Sequence, residues 1–469
     1  MALSGPTQLP YCISILDIVM RYGAANLCSF ATDKGTAMHA GVLSDTFSTE
    51  PYWTDGLEPF VASEASARQT DVAVIGGGFA GLSAALTLAG AGGSVTVFEA
   101  AKIGTGPAAR AAGSLSHVPK AKLADLIGMY GHSIALAIYQ EARQAREYVE
   151  ETIRNHRIAC ELRSCNRFIA AHSSRAFARQ RAVLDSLRAT WGNVELVQRE
   201  EQRQLIGTDA FFGGIKVANS ATLQPALFQR GLATAALTAG ATIVEGTRVL
   251  DLRRQGSGFE LLTTAETYKA QHVILATNAD TGVGPARFRA LARRVMVVPA
   301  FALATEELPA EQVSRILPIA GPVSDTYKII NYIAPADEGR RLIISARAGR
   351  AEGGLQSKAA LMLAYFADRF PDLAGVKVSH CWSGRFTVSA DWVPHVGVDD
   401  GVHYILGCCG TGIPTSTYLG HKVAAKILRR ADAGTAFDRA LPALPFFGAG
   451  AYLLPLAVRA YALGDRLFR

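Results

Sequence analysis

The chain has 469 residues, 49% of them hydrophobic and 19% charged, with a formal net charge of +7 at pH 7. That length has room for two or three domains with filled cores, and the balance is that of a globular protein. No Lys/Arg block has the length of a nucleic-acid arm, and no run of about 20 apolar residues is present to span a bilayer.

The seven cysteines (Cys12, Cys28, Cys160, Cys165, Cys381, Cys408 and Cys409) form no CxxC and no zinc-type spacing with histidine. They read as free thiols in a reducing compartment, with no metal expected, and a vicinal Cys408–Cys409 disulfide would be strained. Residues 1–23 lack a basic start, and Asp17 interrupts their apolar stretch, so a cytoplasmic location is expected. The first 40 residues have weak periodicity. Ser48–Trp53 is aromatic and would pack either on the surface or over a site.

The first strong signal is Asp71–Ile75, an apolar run suited to a strand buried on both faces. Gly76, Gly78 and Gly81 follow as G-x-G-x-x-G. Gly76 permits the tight turn, Gly78 lets backbone approach a pyrophosphate, and Gly81 lets a helix pack close to the strand. Phe79 and Ala80 lie between them, and the N-terminus of the helix centred on Leu82–Ala89 suits phosphate. Gly90–Gly93 ends that helix. Ser94–Phe98 is the second strand, with Glu99 and Ala100 at its tip, and Glu99 lies 18 residues after Gly81. A carboxylate there accepts ribose hydroxyls and disfavours the 2′-phosphate of NADP. Together these elements make a dinucleotide cradle. A flavoprotein reduced by NAD(P)H usually needs a second glycine-rich unit, but Gly256–Gly258 reads as a hairpin turn. One dinucleotide site with this much additional chain points to FAD, with electrons leaving to oxygen or a carrier.

Further along, residues 130–155 carry a helical stripe of Ile134, Ile138, Ala142, Ala145, Val149 and Thr152. Strands are expected at Cys165–Ala171, Gly213–Val217, Ala241–Glu245, Val249–Leu252 and Tyr268–Ala276, and a helix from Leu223 to about Ala239. A β-rich block holds Lys328–Ile333 and Arg341–Ser345. The last block holds the strand Gly401–Leu406, a glycine loop and a helix over Tyr418–Arg430. The tail is apolar but broken by prolines, and packs either on the protein's own surface or against a membrane or partner.

The expected fold class is α/β with an α+β second domain: a Rossmann-type FAD-binding domain interleaved with a mixed-sheet substrate domain. Residues 67–150, 220–289 and 384–434 are assigned to the first, 151–219 and 290–383 to the second. Residues 1–66 form an N-terminal extension and 435–469 an apolar tail.

Several segments in this order resemble the D-amino-acid oxidase and glycine oxidase family of FAD enzymes, most of all its gamma-glutamylputrescine oxidoreductase branch. They are VIGGGFAGLSAA from Val74, Ile103–Gly113, Ala276–Ala279, Trp382–Asp391, Val393–Gly397 and Gly407–Ile413, with Gly420 beyond. The resemblance covers roughly residues 45–430. It implies that Arg110, Ala111, Ala112 and Gly113 run under the flavin and its phosphate arm. It further implies that Gly407, Gly410, Thr411, Gly412 and Ile413 hold the O2 edge of the ring, and that Val249, Ala276, Thr277 and Gly384 also contact a non-covalent FAD.

Two departures matter. Relatives carry an arginine one residue after Arg385, where this chain has Phe386, and some carry one in the final loop, where this chain has Gly410. The usual fork for an α-carboxylate is therefore shifted or absent, which favours an amine, or an amine with a remote acid group, over a free α-amino acid. Arg385 would either reach such an acid or form a structural ion pair. Cys381 and His117 are conceivable points of covalent flavin attachment, and neither is favoured. The resemblance implies hydride transfer from an amine carbon to the flavin, with Arg385, Thr411, Tyr332 and Trp382 as the candidate substrate wall. The other readings are a membrane-associated dehydrogenase feeding quinone and a flavin-binding protein without turnover.

Overall fold

The computed structural model describes residues 41–63, 67–327, 330–346 and 354–443. The calls on the first 40 residues, on Cys12 and Cys28, and on the proline-broken part of the tail lie outside them. Among the described residues no helix is long and apolar enough to cross a membrane.

Two sheets organise the chain. The smaller has eight strands, ordered His395–Asp399, Val402–Leu406, Thr267–Leu275, Gln69–Ile75, Val95–Phe98 and Thr242–Val244, with Val249–Gln255 and Gly258–Thr263 attached as a hairpin on Thr267–Leu275. Gln69–Ile75 lies between parallel neighbours on both sides. Its alternate residues enter different cores: Val72 and Val74 pack with Leu82 and Leu86 of the helix Phe79–Gly90. Ala73 and Ile75 pack with Val249, Phe259 and Tyr268 from the hairpin side. Burial on both faces is why this run carries so little polar side chain.

The larger sheet has ten strands. Leu43–Ser48 lies at one edge, followed by Val378–Ser389, Val295–Thr305, Arg341–Ala346, Asn331–Ala336, Val323–Asp325, Arg163–Ala170, Gly214–Thr222 and Ser114–Leu115, with Val194–Val197 also on Gly214–Thr222. One face carries Phe168, Val323, Ile333, Ile344, Leu303 and Cys381 into a core with Met362 and Phe366 of the helix Gly354–Ala367. The other face turns toward the smaller sheet.

Several element boundaries differ from the sequence expectation. The helix expected over 130–155 is His132–Asn155, and Gly131, at φ 81°, separates it from a further helix, Leu123–Tyr130, that was not expected. The last helix begins at Gly412 rather than Tyr418, directly out of the glycine loop, and ends at Ile427. The strand expected at Lys328–Ile333 runs Asn331–Ala336. Leu43–Ser48, within the supposed extension, is a strand paired in parallel with Val378–Ser389. That partner strand runs through position 384, where a domain boundary was expected, and Ser114–Leu115 joins the large sheet from within the first assigned FAD segment.

The final helix Gly412–Ile427 packs on Phe79–Gly90. Contact is close enough that a Cβ on Gly420 would stand 2.1 Å from the Ala80 carbonyl oxygen. Gly420→Ala is expected to cost about 1–3 kcal/mol through forced separation of these helices. Thermal unfolding checks this, and an unchanged midpoint would show that the pair has slack.

Asp325 is buried at the end of its strand. It accepts hydrogen bonds from the Tyr327 and Asn331 amides at 3.2 and 3.1 Å and from Asn331 Nδ2 at 2.7 Å. Burial nonetheless dominates and pushes the carboxyl up to about 7. The folded state then keeps a proton that the unfolded chain releases near pH ~3.9, so the group's contribution is full below that value and is lost as pH rises to about 7. In Asp325→Asn the fall in thermal midpoint across this window should flatten. Parallel pH profiles for variant and parent would exclude Asp325 as its source.

Candidate active site

A cleft of about 860 Å³ lies between the strand tips of the smaller sheet and the open face of the larger. It is built from the glycine turn outward. Gly76 sits at φ 107°, and a Cβ there would stand 2.9 Å from the Ala276 carbonyl oxygen. A Cβ on Gly81 would stand 1.9 Å from the carbonyl oxygen of Gly76, so the turn and the first helical residues have no space for side chains at these points. Gly78 caps the helix Phe79–Gly90, whose first N–H groups lack helical partners and face the cleft with Phe79 and Ala80.

Glu99 stands at the tip of the neighbouring strand. Its Oε2 accepts the Gly77 amide and its Oε1 the Ala101 amide, each at 2.8 Å. Both oxygens are thereby fixed, with lone pairs left for ribose hydroxyls. Ala100 and Val249 continue the wall beside it. Gln229, absent from the sequence-based candidates, donates its Nε2 to the Gly77 carbonyl at 2.7 Å. Its buried Oε1 has no hydrogen-bond partner, and the residue lines the same cleft. A positive helix end, a carboxylate with free lone pairs and an orphan acceptor among close-packed glycines fit a dinucleotide with ribose hydroxyls and a pyrophosphate. The signal for Gln229 was a polar residue on the otherwise apolar face of Pro225–Thr238.

The segment Arg110–Gly113 is held from both sides by indoles. Trp53 Nε1 donates to the Ala111 carbonyl at 2.8 Å, and Trp382 Nε1 to the Arg110 carbonyl at 3.1 Å. The Arg110 guanidinium ties three segments together, donating to the Thr105 carbonyl at 3.1 Å, the Ser383 carbonyl at 3.3 Å and Glu50 Oε2 at 2.9 Å. Gly113, at φ 75°, would place a Cβ 2.5 Å from the Leu223 carbonyl oxygen. Arg110, Ala111 and Ala112 line the cleft.

Across the cleft, Gly407 and Gly410 adopt φ 75° and 78° and deliver the chain into Gly412–Ile427, whose N-terminus also faces the cavity. Gly410, Gly412 and Ile413 line it, as do Ala276, Thr277 and Gly384. Asn278, at φ 43°, donates to Cys408 Sγ at 3.3 Å and accepts from Thr387 Oγ1, which itself receives the Gly407 amide at 3.1 Å. Gly81, Gly113 and Gly407 do not reach the cavity surface.

The four expected wall residues separate. Arg385 lines the cleft and pairs with Asp280 at 2.7 Å, half-exposed, where such a pair contributes under about 1 kcal/mol. Trp382 is fully buried and supports the Arg110 backbone. Thr411 turns its hydroxyl back to the Cys408 carbonyl at 3.0 Å and borders a separate cavity of about 20 Å³. Tyr332 is buried in the row next to Ser345, outside the main lining. The lining that sequence reasoning missed includes Ser114, Ala300, Phe301, Ala302 and Ser345 from the larger sheet. Phe386 lines the cleft where an arginine would have been expected. Cys381 faces the opposite core, its thiol pushed up to about 12 by burial, and His117 borders the small cavity, held near 4 chiefly by burial. Cys408 and Cys409 are free thiols.

Over residues 71–426 the sequence matches the DAO family model, described as FAD dependent oxidoreductase. The chain belongs to this family. Among its relatives, gamma-glutamylputrescine oxidoreductase of Escherichia coli (strain K12) is 28% identical over 409 residues, covering 85% of this chain and 93% of that protein. The probable oxidoreductase OrdL of Rhizobium meliloti (strain 1021) is 28% identical over 408 residues, with the same coverage of each. Glycine oxidase from Geobacillus kaustophilus shares the fold, with a TM-score of 0.66, 24% identity, and coverage of 79% of this chain and 97% of that one. The protein is thus an FAD-dependent oxidoreductase, and the cradle described above fits its cofactor.

Trp53→Phe removes one of the two indole donors while keeping the ring. FAD affinity is expected to fall about 5- to 10-fold, in line with one neutral hydrogen bond. Equilibrium dialysis of the flavin measures it, and equal retention by variant and parent would show that Trp382 suffices.

Proposed function

We propose that this protein oxidises the C–N bond of an amine or N-substituted amino compound, giving an imine that hydrolyses, and passes the electrons to oxygen or a carrier. The observation that carries this reading is the continuity of the cleft. It runs from the dinucleotide cradle at Gly76–Gly81 and Glu99 to an apolar sheet wall of Ala300, Phe301 and Ala302. Bound FAD supplies the hydride acceptor.

The protein's own part is to orient and enclose. The apolar wall excludes water and presses the substrate carbon toward the glycine loops, which raises the fraction of reactive poses. The N-terminus of Gly412–Ile427 brings partial positive charge to the opposite side, where negative charge accumulates on reduction. Among the described residues, the ionisable lining groups are Glu99, Lys102, Arg110, Arg248, Asp280, Arg385 and Cys408. Glu99 is engaged with backbone amides, Arg110 with carbonyls and Glu50, and Asp280 with Arg385. The lining includes no histidine to serve as general base, so on this reading the substrate nitrogen arrives neutral, its lone pair assisting departure of the hydride. The names of the relatives point to amines and amino acids as the chemical class.

The test is anaerobic mixing of the FAD-loaded protein with gamma-glutamylputrescine, sarcosine, glycine and several D-amino acids. Bleaching of the flavin bands by one class is expected, with oxygen readmission showing whether air restores them. A flavin that no amine bleaches would remove the amine reading and leave the family assignment standing.

A further inference from the structure

The helix Gly354–Ala367 sets Lys358, Met362 and Phe366 on one face, at four-residue spacing. Met362 and Phe366 belong to the hydrocarbon core packed on the larger sheet. Lys358 holds a place in that stripe and is only 2% exposed. Its Nζ lies over the Phe301 ring, 4.7 Å from the centroid. Phe301 is half-buried, packs against the same core and also lines the cleft. A single aromatic ring thus borders both a buried cation and the cavity. Its strand, Val295–Thr305, carries no ionisable side chain. Burial holds the Lys358 ammonium down at about 8, opposed by Cys381, whose own thiol is pushed up to about 12 by burial. That thiol is therefore neutral wherever the lysine titrates. On the other elements packed against the helix, His380 pairs with Asp55, Arg341 with Glu307, Arg385 with Asp280 and Asp372 with Arg315, while Asp45 is exposed. Tyr365, on the helix itself, donates its hydroxyl to Asp325 at 3.3 Å.

An apolar side chain would fill the Lys358 position without the loss of hydration that a buried ammonium suffers. A charge kept there acts beyond its own contacts, because repulsion between like charges is weakly screened behind an apolar wall. Near Phe301 an ammonium substrate would meet this cation, and a neutral amine would not. Hydride departure needs the nitrogen lone pair free, and the lining includes no histidine to take a proton. Repulsion does the same work by another route: it favours the unprotonated form of whatever amine enters.

We propose that Lys358, set behind Phe301, filters the cleft by charge, turning away the ammonium form of the substrate and admitting the neutral amine. This rests on the amine reading above and deepens it by naming what keeps the bound nitrogen unprotonated. Lys358 touches neither substrate nor cofactor in this scheme and is a positioning residue. The sign of its pH dependence follows. The ammonium is charged below about 8, so repulsion of cations is full below that value and fades as pH rises through it.

The test uses the full FAD-loaded chain and two unreactive probes of similar shape: tetramethylammonium, whose charge is permanent, and the uncharged tert-butanol. Binding is read from perturbation of the flavin bands at about pH 6.5 and about pH 9, on either side of the lysine. In the parent, tetramethylammonium is expected to bind about 10-fold more tightly at the higher pH, and tert-butanol equally at both. In Lys358→Met, which keeps the length of the side chain, tetramethylammonium should bind at either pH as tightly as the parent binds it at the higher one. Tert-butanol should be unchanged. Flavin content and thermal midpoint are measured alongside. A pH dependence that survives in Lys358→Met, equal changes for both probes, or a parent that binds neither would each overturn the proposal and leave Lys358 as a packing residue. Failure of the amine reading has a different signature: discrimination against the cation that depends on Lys358, with a flavin that no amine bleaches.

Discussion

Backbone meeting backbone without intervening side chains is the constraint on which the structure depends. At Gly76, Gly81 and Gly420 a single added carbon would meet a carbonyl oxygen of another segment. The strand Gln69–Ile75, the helix Phe79–Gly90 and the helix Gly412–Ile427 converge only because those carbons are missing. Their convergence aims two helix N-termini, from residues more than three hundred positions apart in sequence, at one cavity. The positive ends that suit a phosphate and a reducible ring thus follow from backbone packing.

How much of this was legible follows from which interactions leave a local trace. The turn Gly76–Gly81 and the acid Glu99 were readable because their spacing is set by contacts within one βαβ unit. The hairpin around Gly256–Gly258 was readable for the same reason. The two indole donors were not: Trp53 and Trp382 lie far from Arg110 in the chain, and nothing local says that an indole N–H will meet a given carbonyl. Trp382 and Thr411 were taken as wall residues from their flavin-near neighbours. Trp382 is instead sealed beneath the Arg110 backbone that its indole holds, and the Thr411 hydroxyl turns back to the Cys408 carbonyl of the preceding loop. Gln229 left a fainter signal, a polar residue on a largely apolar helix face, whose meaning depended on how that helix meets the glycine turn.

The two faces of the large sheet divide its duties. The face packed on Gly354–Ala367 is continuous hydrocarbon and gives the sheet its stability. The other alternates alanine, serine and tyrosine, residues small or polar enough to leave volume beside a cofactor. Stability and specificity are therefore written into alternate residues of the same strands, so a one-residue slip in register would exchange them.

The strand Leu43–Ser48 has a role that its short, partly exposed sequence does not advertise. By pairing in parallel with Val378–Ser389 it covers part of the outer margin of a ten-stranded sheet. An uncovered margin of that kind offers free amides and carbonyls to the same margin of another molecule. The residues ahead of the dinucleotide motif thus shield that margin, and a shortened chain beginning at Gln69 would bare it while also losing the Trp53 and Glu50 contacts that hold the Arg110 segment of the cradle.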